Sequence, residues 1–217
     1  MAISNQRREL GRHPQRDDYL SSFVIHVHQL LKLGYDTLTP AESIAEREET
    51  ITGRLTAAMK SVLRSRTAPD WTGDLTVHDE VHIEDGIRLG KRRLRIDIEF
   101  EQFRRGPRPI FQFEAKRLRN AASLSAYLGS GGLGCFADGR YAKDQDMAGM
   151  LGYIQAGTVE QRAAQLASKL DKHPSTLTTG RWRPRPLVPL LPTYETRHQR
   201  RAPLGPITIL HSLLIFY

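Results

Sequence analysis

Asp97 in RRLRIDIEF, with Glu114 and Lys116 in IFQFEAKRL, are the residues whose types and spacing point most directly to chemistry. Leu94, Ile96, Ile98 and Phe100 alternate with polar residues, as do Phe111, Phe113 and Ala115, so both stretches read as strands. Alternate residues of a strand share a face. Glu114 and Lys116 therefore point the same way, and Asp97, with Arg95 and Glu99, lies opposite the apolar row of its own strand. An acid on one strand can then meet an acid and a lysine on the next. Two close carboxylates repel unless a divalent cation lies between them, and Mg²⁺ takes such oxygens. The ammonium could orient or deprotonate a water, or stabilise a developing phosphoryl charge. The set suits metal-assisted phosphodiester hydrolysis; the competing reading is a surface ion-pair ladder across two strands.

A helix upstream adds a third acid. Thr39-Pro40-Ala41-Glu42 supplies an N-cap, a first-turn proline and a capping-box glutamate. Ile44, Ile51, Leu55, Ala58 and Val62 then recur at helical spacing to about Leu63. Glu48 falls inside that apolar stripe, four residues after Ile44 and three before Ile51, whereas Glu46 and Glu49 point elsewhere. A carboxylate on a core-facing stripe is costly unless it is paired or binds a metal. Glu48 is thus either half of a buried salt bridge to an arginine or a third acid facing the cation, with Glu49 in reserve.

These residues resemble the PD-(D/E)xK, or restriction-endonuclease-like, nucleases: a helix bearing an acid, strands carrying Asp and (D/E)xK, then flanking helices. The matching positions are Glu48 in EREETITGRL, Asp97, and Glu114 with Lys116, and the likeness covers about residues 40–128. The literal proline of the motif is absent, Ile96 standing before Asp97. The resemblance implies an α/β fold with a central mixed sheet flanked by helices. It also implies Mg²⁺ or Mn²⁺ held by Asp97, Glu114, Glu48 and the backbone carbonyl of Ala115. Lys116 would position the attacking water, and Arg95, Arg117 and Arg119 would grip the nucleic-acid backbone. The expected activity is metal-dependent cleavage of DNA; the alternative is a non-catalytic nucleic-acid-binding subunit on the same scaffold. A regulatory protein partner or a second copy of the chain is compatible with either. GCFADGRYAKDQDMAGMLGYIQ and YETRHQR loosely resemble features of compact nucleases from bacterial restriction and phage-defence loci.

The remaining elements must position this set. Residues 19–33 read as a helix, with Phe23, Val27, Leu30 and Leu31 on one side and Gly34 as its stop. Leu75, Val77, Val81 and Ile83 alternate as a strand, and Arg-Gly-Pro-Arg-Pro before Ile110 reads as a turn. Helices are expected over 143–155 and 159–172, the second capped by Thr158 and Gln161. Six of twelve prolines lie in 184–206, so loop and short extended pieces are expected there, before a final apolar strand over 207–216. One domain, 1–217, is expected, with its core over about 40–172 and a Pro/Arg-rich segment and final strand over 173–217.

The charge supports an anionic partner. The chain has 32 Lys+Arg against 24 Asp+Glu, a net +8. Residues 88–119 hold eleven basic and four acidic residues, and 181–201 hold six arginines and one glutamate, so the rest of the chain is net acidic. Two concentrated blocks favour nucleic acid over a merely solvated face. Tyr194, His198 and Arg200 read chiefly as solvated loop residues. No apolar run approaches 18 residues and the N-terminal stretch lacks an apolar core, so neither a membrane span nor a secretory signal is expected. One cysteine, Cys135, excludes an internal disulfide framework and a Cys-built zinc site, and the cytoplasm is the expected compartment. Gly129–Gly134 spells GxGxxG but follows a helical stretch, which argues against a dinucleotide site. His78, Glu80 and His82 could share a strand face but lack a further ligand.

Overall fold

A computed structural model describes residues 14–38, 46–83, 93–103, 108–172 and 178–217. The helices are α1 (Pro14–Asp36), α2 (Glu48–Leu63), α3 (Ala121–Leu128), α4 (Leu133–Ala137) and α5 (Val159–Leu170). The strands are β1 (Leu75–Ile83), β2 (Leu94–Gln102), β3 (Ile110–Leu118), β4 (Met147–Ile154), β5 (Thr178–Pro184), β6 (Thr193–His198) and β7 (Ile207–Ile215). They form one seven-stranded mixed sheet in the order β1-β2-β3-β4-β7-β6-β5. β1, β2 and β3 run antiparallel in turn, β3-β4 and β4-β7 are parallel, and β7-β6-β5 are antiparallel again.

Each sheet face buries its own apolar layer. On one, Phe23, Val27, Leu30 and Leu31 of α1 and Ile51, Leu55 and Met59 of α2 pack on Phe100, Phe111, Phe113 and Leu151. On the other, Leu124 and Tyr127 of α3, Phe136 of α4 and Leu166 of α5 cover Leu118, Met150, Ile209 and Leu213. Helices on both faces of a largely buried sheet give a three-layer α/β architecture. No helix among the described residues is long and apolar enough to cross a membrane.

Several expectations hold and several are corrected. The strands around Val77, Ile98 and Phe113 lie where the alternation puts them, and Thr158 and Gln161 form the expected capping box of α5. α1 runs past Gly34 to Asp36. Gly34 is instead a contact point between helices, since a Cβ there would stand 3.0 Å from the Met59 amide nitrogen. α2 begins only at Glu48, with extended Arg47 as its N-cap, so the helix expected to run on from a cap at Thr39–Glu42 is corrected to this shorter one. Thr39–Glu42 themselves, and most of the Arg-Gly-Pro-Arg-Pro turn, lie outside the described residues.

The main correction concerns 143–155, read as a helix and found as β4 in the middle of the sheet. A parallel strand between two neighbours is buried on both faces, so it has no polar alternation to distinguish it from a buried helix. Gly149 and Gly152 sit where the Phe113 ring and the Leu118 and Leu213 side chains press against the strand. The proline-rich region also contains β5 and β6, which form the sheet edge beyond β7.

Candidate functional site

The β2–β3 ladder pairs Glu101 with Ile110, Phe100 with Phe111, Glu99 with Gln112 and Ile98 with Phe113. One step further Asp97 stands opposite Glu114. There the Asp97 carboxylate, rather than a β2 carbonyl, takes the N–H of Ala115, at 2.7 Å to Oδ2. A side chain thus substitutes for the backbone where the two strands part.

Lys116 is the hub. Its Nζ donates to Glu114 Oε1 at 2.7 Å, to Glu48 Oε1 at 2.9 Å and to the Ala115 carbonyl at 2.7 Å. Glu48 arrives in the first turn of α2 and also accepts the Arg117 N–H at 3.0 Å through Oε2. It is therefore aimed inward, as its place in the apolar stripe predicts, and its salt bridge is to a lysine rather than an arginine. Glu49 is exposed. Buried Thr52, one turn further along α2, shares a 3.0 Å hydrogen bond with Tyr153 of β4, pinning the helix to the sheet beside the site.

The electrostatics reflect crowding of like charges away from water. Burial and then the neighbouring Asp97 push Glu114 up to about 8, against the pull of Lys116. Burial also raises Asp97, opposed by the Ala115 N–H and Lys116 and reinforced by Glu48. Burial alone would lower Lys116, but Glu114, Glu48 and Asp97 outweigh it and hold the ammonium above its ordinary value. Two carboxylates, Glu48 and Glu114, contact the Lys116 ammonium with Asp97 acting on it by charge from the next strand, and buried Glu114 Oε2 has no hydrogen-bond partner. Both features fit an additional cation. In the lysine-bridged arrangement no group of three or more His, Cys, Asp and Glu among the described residues is already gathered as a ligand set.

The arginines behave differently from one another. Arg117 turns back, its Nη1 donating to the Glu46 carbonyl at 3.2 Å, where Gln155 Nε2 joins it at 3.3 Å. These contacts hold the approach to α2 and hence Glu48. Arg95 is exposed and pairs with Glu80 at 3.2 Å, while its carbonyl accepts the Tyr141 hydroxyl at 2.7 Å. Arg119 is exposed, and its carbonyl accepts Arg162 Nη2 at 2.7 Å. The role of Gln155 has no sequence signal, because its place at the end of β4 is legible only once 147–154 is known to be a strand beside β3.

Other residues singled out by type lie apart. His78, Glu80 and His82 are exposed, and a left-handed φ of 52° at Glu80 interrupts the alternation that would align them. Tyr194 and His198 belong to β6 rather than a solvated loop. His198 is buried, bonded through Nε2 to Thr196, which also meets His211. Buried Arg200 donates to the carbonyls of Ala142, Gln145 and Gly205 and so ties two loops together. Gly129–Gly134 joins α3 to α4. Arg88, Lys91, Arg92, Arg104 and Arg105 of the first basic block lie outside the described residues.

No family model matches the chain, and neither curated proteins nor solved structures provide a match.

Proposed function

We propose that the chain is a Mg²⁺- or Mn²⁺-dependent nuclease with a restriction-endonuclease-like core, acting on DNA. The observation that carries this reading is the meeting of Glu48, Asp97, Glu114 and Lys116 from three separate elements, with Glu114 Oε2 buried and unpartnered. Asp97, Glu114, Glu48 and the Ala115 carbonyl would hold the cation. Once bound, it would supply Lewis-acid polarisation of the scissile phosphoryl group. Two carboxylates bonded to one ammonium with Asp97 beside them, and a Glu114 oxygen left unpartnered, suit a divalent ion that would displace the Glu114 proton.

The residues then divide the work. Lys116, held as an ammonium, serves as a donor that orients the attacking water and stabilises charge on the phosphoryl oxygens, not as a base. For this it must give up one of its present acceptors, Glu114 or the Ala115 carbonyl, as the cation takes them. Water oxygen forms the new bond to phosphorus as the bond to the leaving oxygen breaks; one water proton ends on that oxygen and the other passes to solvent, giving one phosphate end and one hydroxyl end. Arg117 and Gln155 keep Glu48 in reach, and exposed Arg95 and Arg119 face the substrate backbone.

The lysine-bridged geometry favours a second reading, a nucleic-acid-binding module whose Glu48-Lys116-Glu114 cluster is a structural ion-pair network. A plasmid assay with Mg²⁺ or Mn²⁺ separates the two. The nuclease should cut, and Lys116→Ala and Asp97→Ala should each abolish cutting. Activity surviving both substitutions would show that the proposed centre is wrong, and DNA binding without any cleavage would favour the module.

A further inference from the structure

The second arginine block becomes an organised surface at the far edge of the sheet. On β5, Trp182 turns inward, its ring 5.1 Å from Tyr194 and 4.5 Å from His211. Arg181 and Arg183 flank it and Arg185 follows the strand, all three exposed. Across the ladder, Arg183 pairs with Glu195 and Gly180 with Arg197. A Cβ on Gly180 would stand 2.9 Å from that of Arg197, so the exposed Arg197 starts out over bare β5 backbone.

Glu195 organises the group. It is largely buried and takes Arg183 Nε at 2.5 Å and Arg185 Nε at 3.5 Å. One carboxylate cannot neutralise two guanidiniums; it holds them side by side, with their other N–H donors toward water. Arg183 and Arg185 on one glutamate, with Arg181 and Arg197 exposed on the same two strands, give this edge an excess of arginine in a chain that is net acidic outside its two basic blocks. Guanidinium forks match phosphate oxygens in pairs, which a diffuse lysine surface does not.

We propose that Arg181, Arg183, Arg185 and Arg197 on β5 and β6 form a docking strip for the phosphodiester backbone of nucleic acid, distinct from the Asp97-Glu114-Lys116 centre. The strip deepens the proposed function by assigning a second contact with its substrate class, and it rests on that nucleic-acid reading but not on cleavage. β5 lies four strands from β3, roughly 19 Å at the usual inter-strand spacing. By ladder register Glu195 shares the face of Leu210, whereas Glu114 and Lys116 share the face of Met150 and Gly152, so the strip would grip nucleic acid at a surface separate from the centre.

Fluorescence anisotropy of the full chain with a labelled duplex, in EDTA and across a salt series, tests the strip. The Arg181→Ala/Arg183→Ala/Arg185→Ala variant should bind at least tenfold more weakly at low salt. Its slope of log affinity against log salt should shrink by about 2 to 3. Arg181→Ala/Arg197→Ala leaves both Glu195 pairs intact and should shrink the slope by about 2, whether or not the triple variant folds. Unchanged slopes in a folded variant would overturn the strip, as would wild-type binding to phosphatidylserine vesicles but not to the duplex. Reduced slopes in a chain that never cuts DNA would keep the strip and defeat the nuclease reading; metal-dependent cutting with unchanged slopes would do the reverse.

Discussion

The Ala115 N–H donates to Asp97 Oδ2 at 2.7 Å, closing with a side chain the position where the backbone ladder between β2 and β3 ends. This bond gives Asp97 two separable roles, structural through its oxygen and electrostatic through its charge. Asp97→Asn keeps an acceptor for Ala115 and should fold with near-native stability, yet lower the proposed cleavage by about a hundredfold or more. Asp97→Ala leaves a part-buried N–H unpaired and should cost about 1–3 kcal/mol as well. Urea denaturation beside a plasmid assay checks both; equal stability of the two variants would contradict the structural role.

Glu48 and Glu49 are neighbours with opposite fates. Glu48→Gln should weaken Mn²⁺ binding about 10- to 100-fold, read by calorimetry. Glu49→Gln, altering an exposed side chain, should leave binding and activity unchanged.

Glu114 gives the metal-free protein a particular pH dependence. Its folded value, about 8, lies above the ordinary 4.5, so the folded state keeps a proton that the unfolded state releases between these values. Its contribution is full below pH 4.5 and fades as pH rises through 8, at about 1.4 kcal/mol per pH unit. Glu114→Gln should remove that slope, and urea unfolding at pH 6, 7 and 8 in EDTA measures it. In wild type, saturating Mg²⁺ should flatten the same curve, because a bound cation keeps the carboxylate ionised.

Three buried histidines act in the opposite direction. Burial lowers His28 and His198 to about 4 and His211 well below the ordinary value. Stability from their neutral forms is full above pH 6.5 and is lost as pH falls towards 4. His28 Nε2 is buried without a partner in an aromatic core formed by Phe111 and Phe113. His28→Leu should therefore reduce the acid slope by one proton without loss of stability at pH 7, measured by urea unfolding at pH 5 and 7.

Two glycines should respond in opposite ways. A Cβ on Gly149 would fall into the Phe113 ring, and Gly149→Ala should destabilise the fold by about 1–3 kcal/mol. Gly53 lies in α2 with open space around it, and Gly53→Ala should stabilise by about 0.5–1 kcal/mol. Denaturant midpoints check both.

Much of this arrangement is legible in the order of residues alone. Period-two alternation marks β2 and β3: Ile98 and Phe100, like Phe111, Phe113 and Ala115, pack in the α1–α2 layer, although Leu94 and Ile96, expected in the same row, turn to the opposite layer. The polar row contains Asp97, Glu114 and Lys116. The phase of Ile51 and Leu55 along α2 likewise turns Glu48 inward rather than Glu49. These are local properties: a strand or helix sorts its side chains onto faces whatever lies across from it.

Only the tertiary structure decides what each face meets. β4 has no polar face because strands and helices surround it, so its sequence carries no period and its identity depends on its neighbours. The roles of Gln155 and of the Arg117 guanidinium depend on β4 lying beside β3. Lys116 bonds Glu48, 68 positions away, and the arginines after Pro174 become one surface only when Arg197 is paired across Gly180. Strand order and chain crossing create those contacts, and neither is written in the spacing of any single segment.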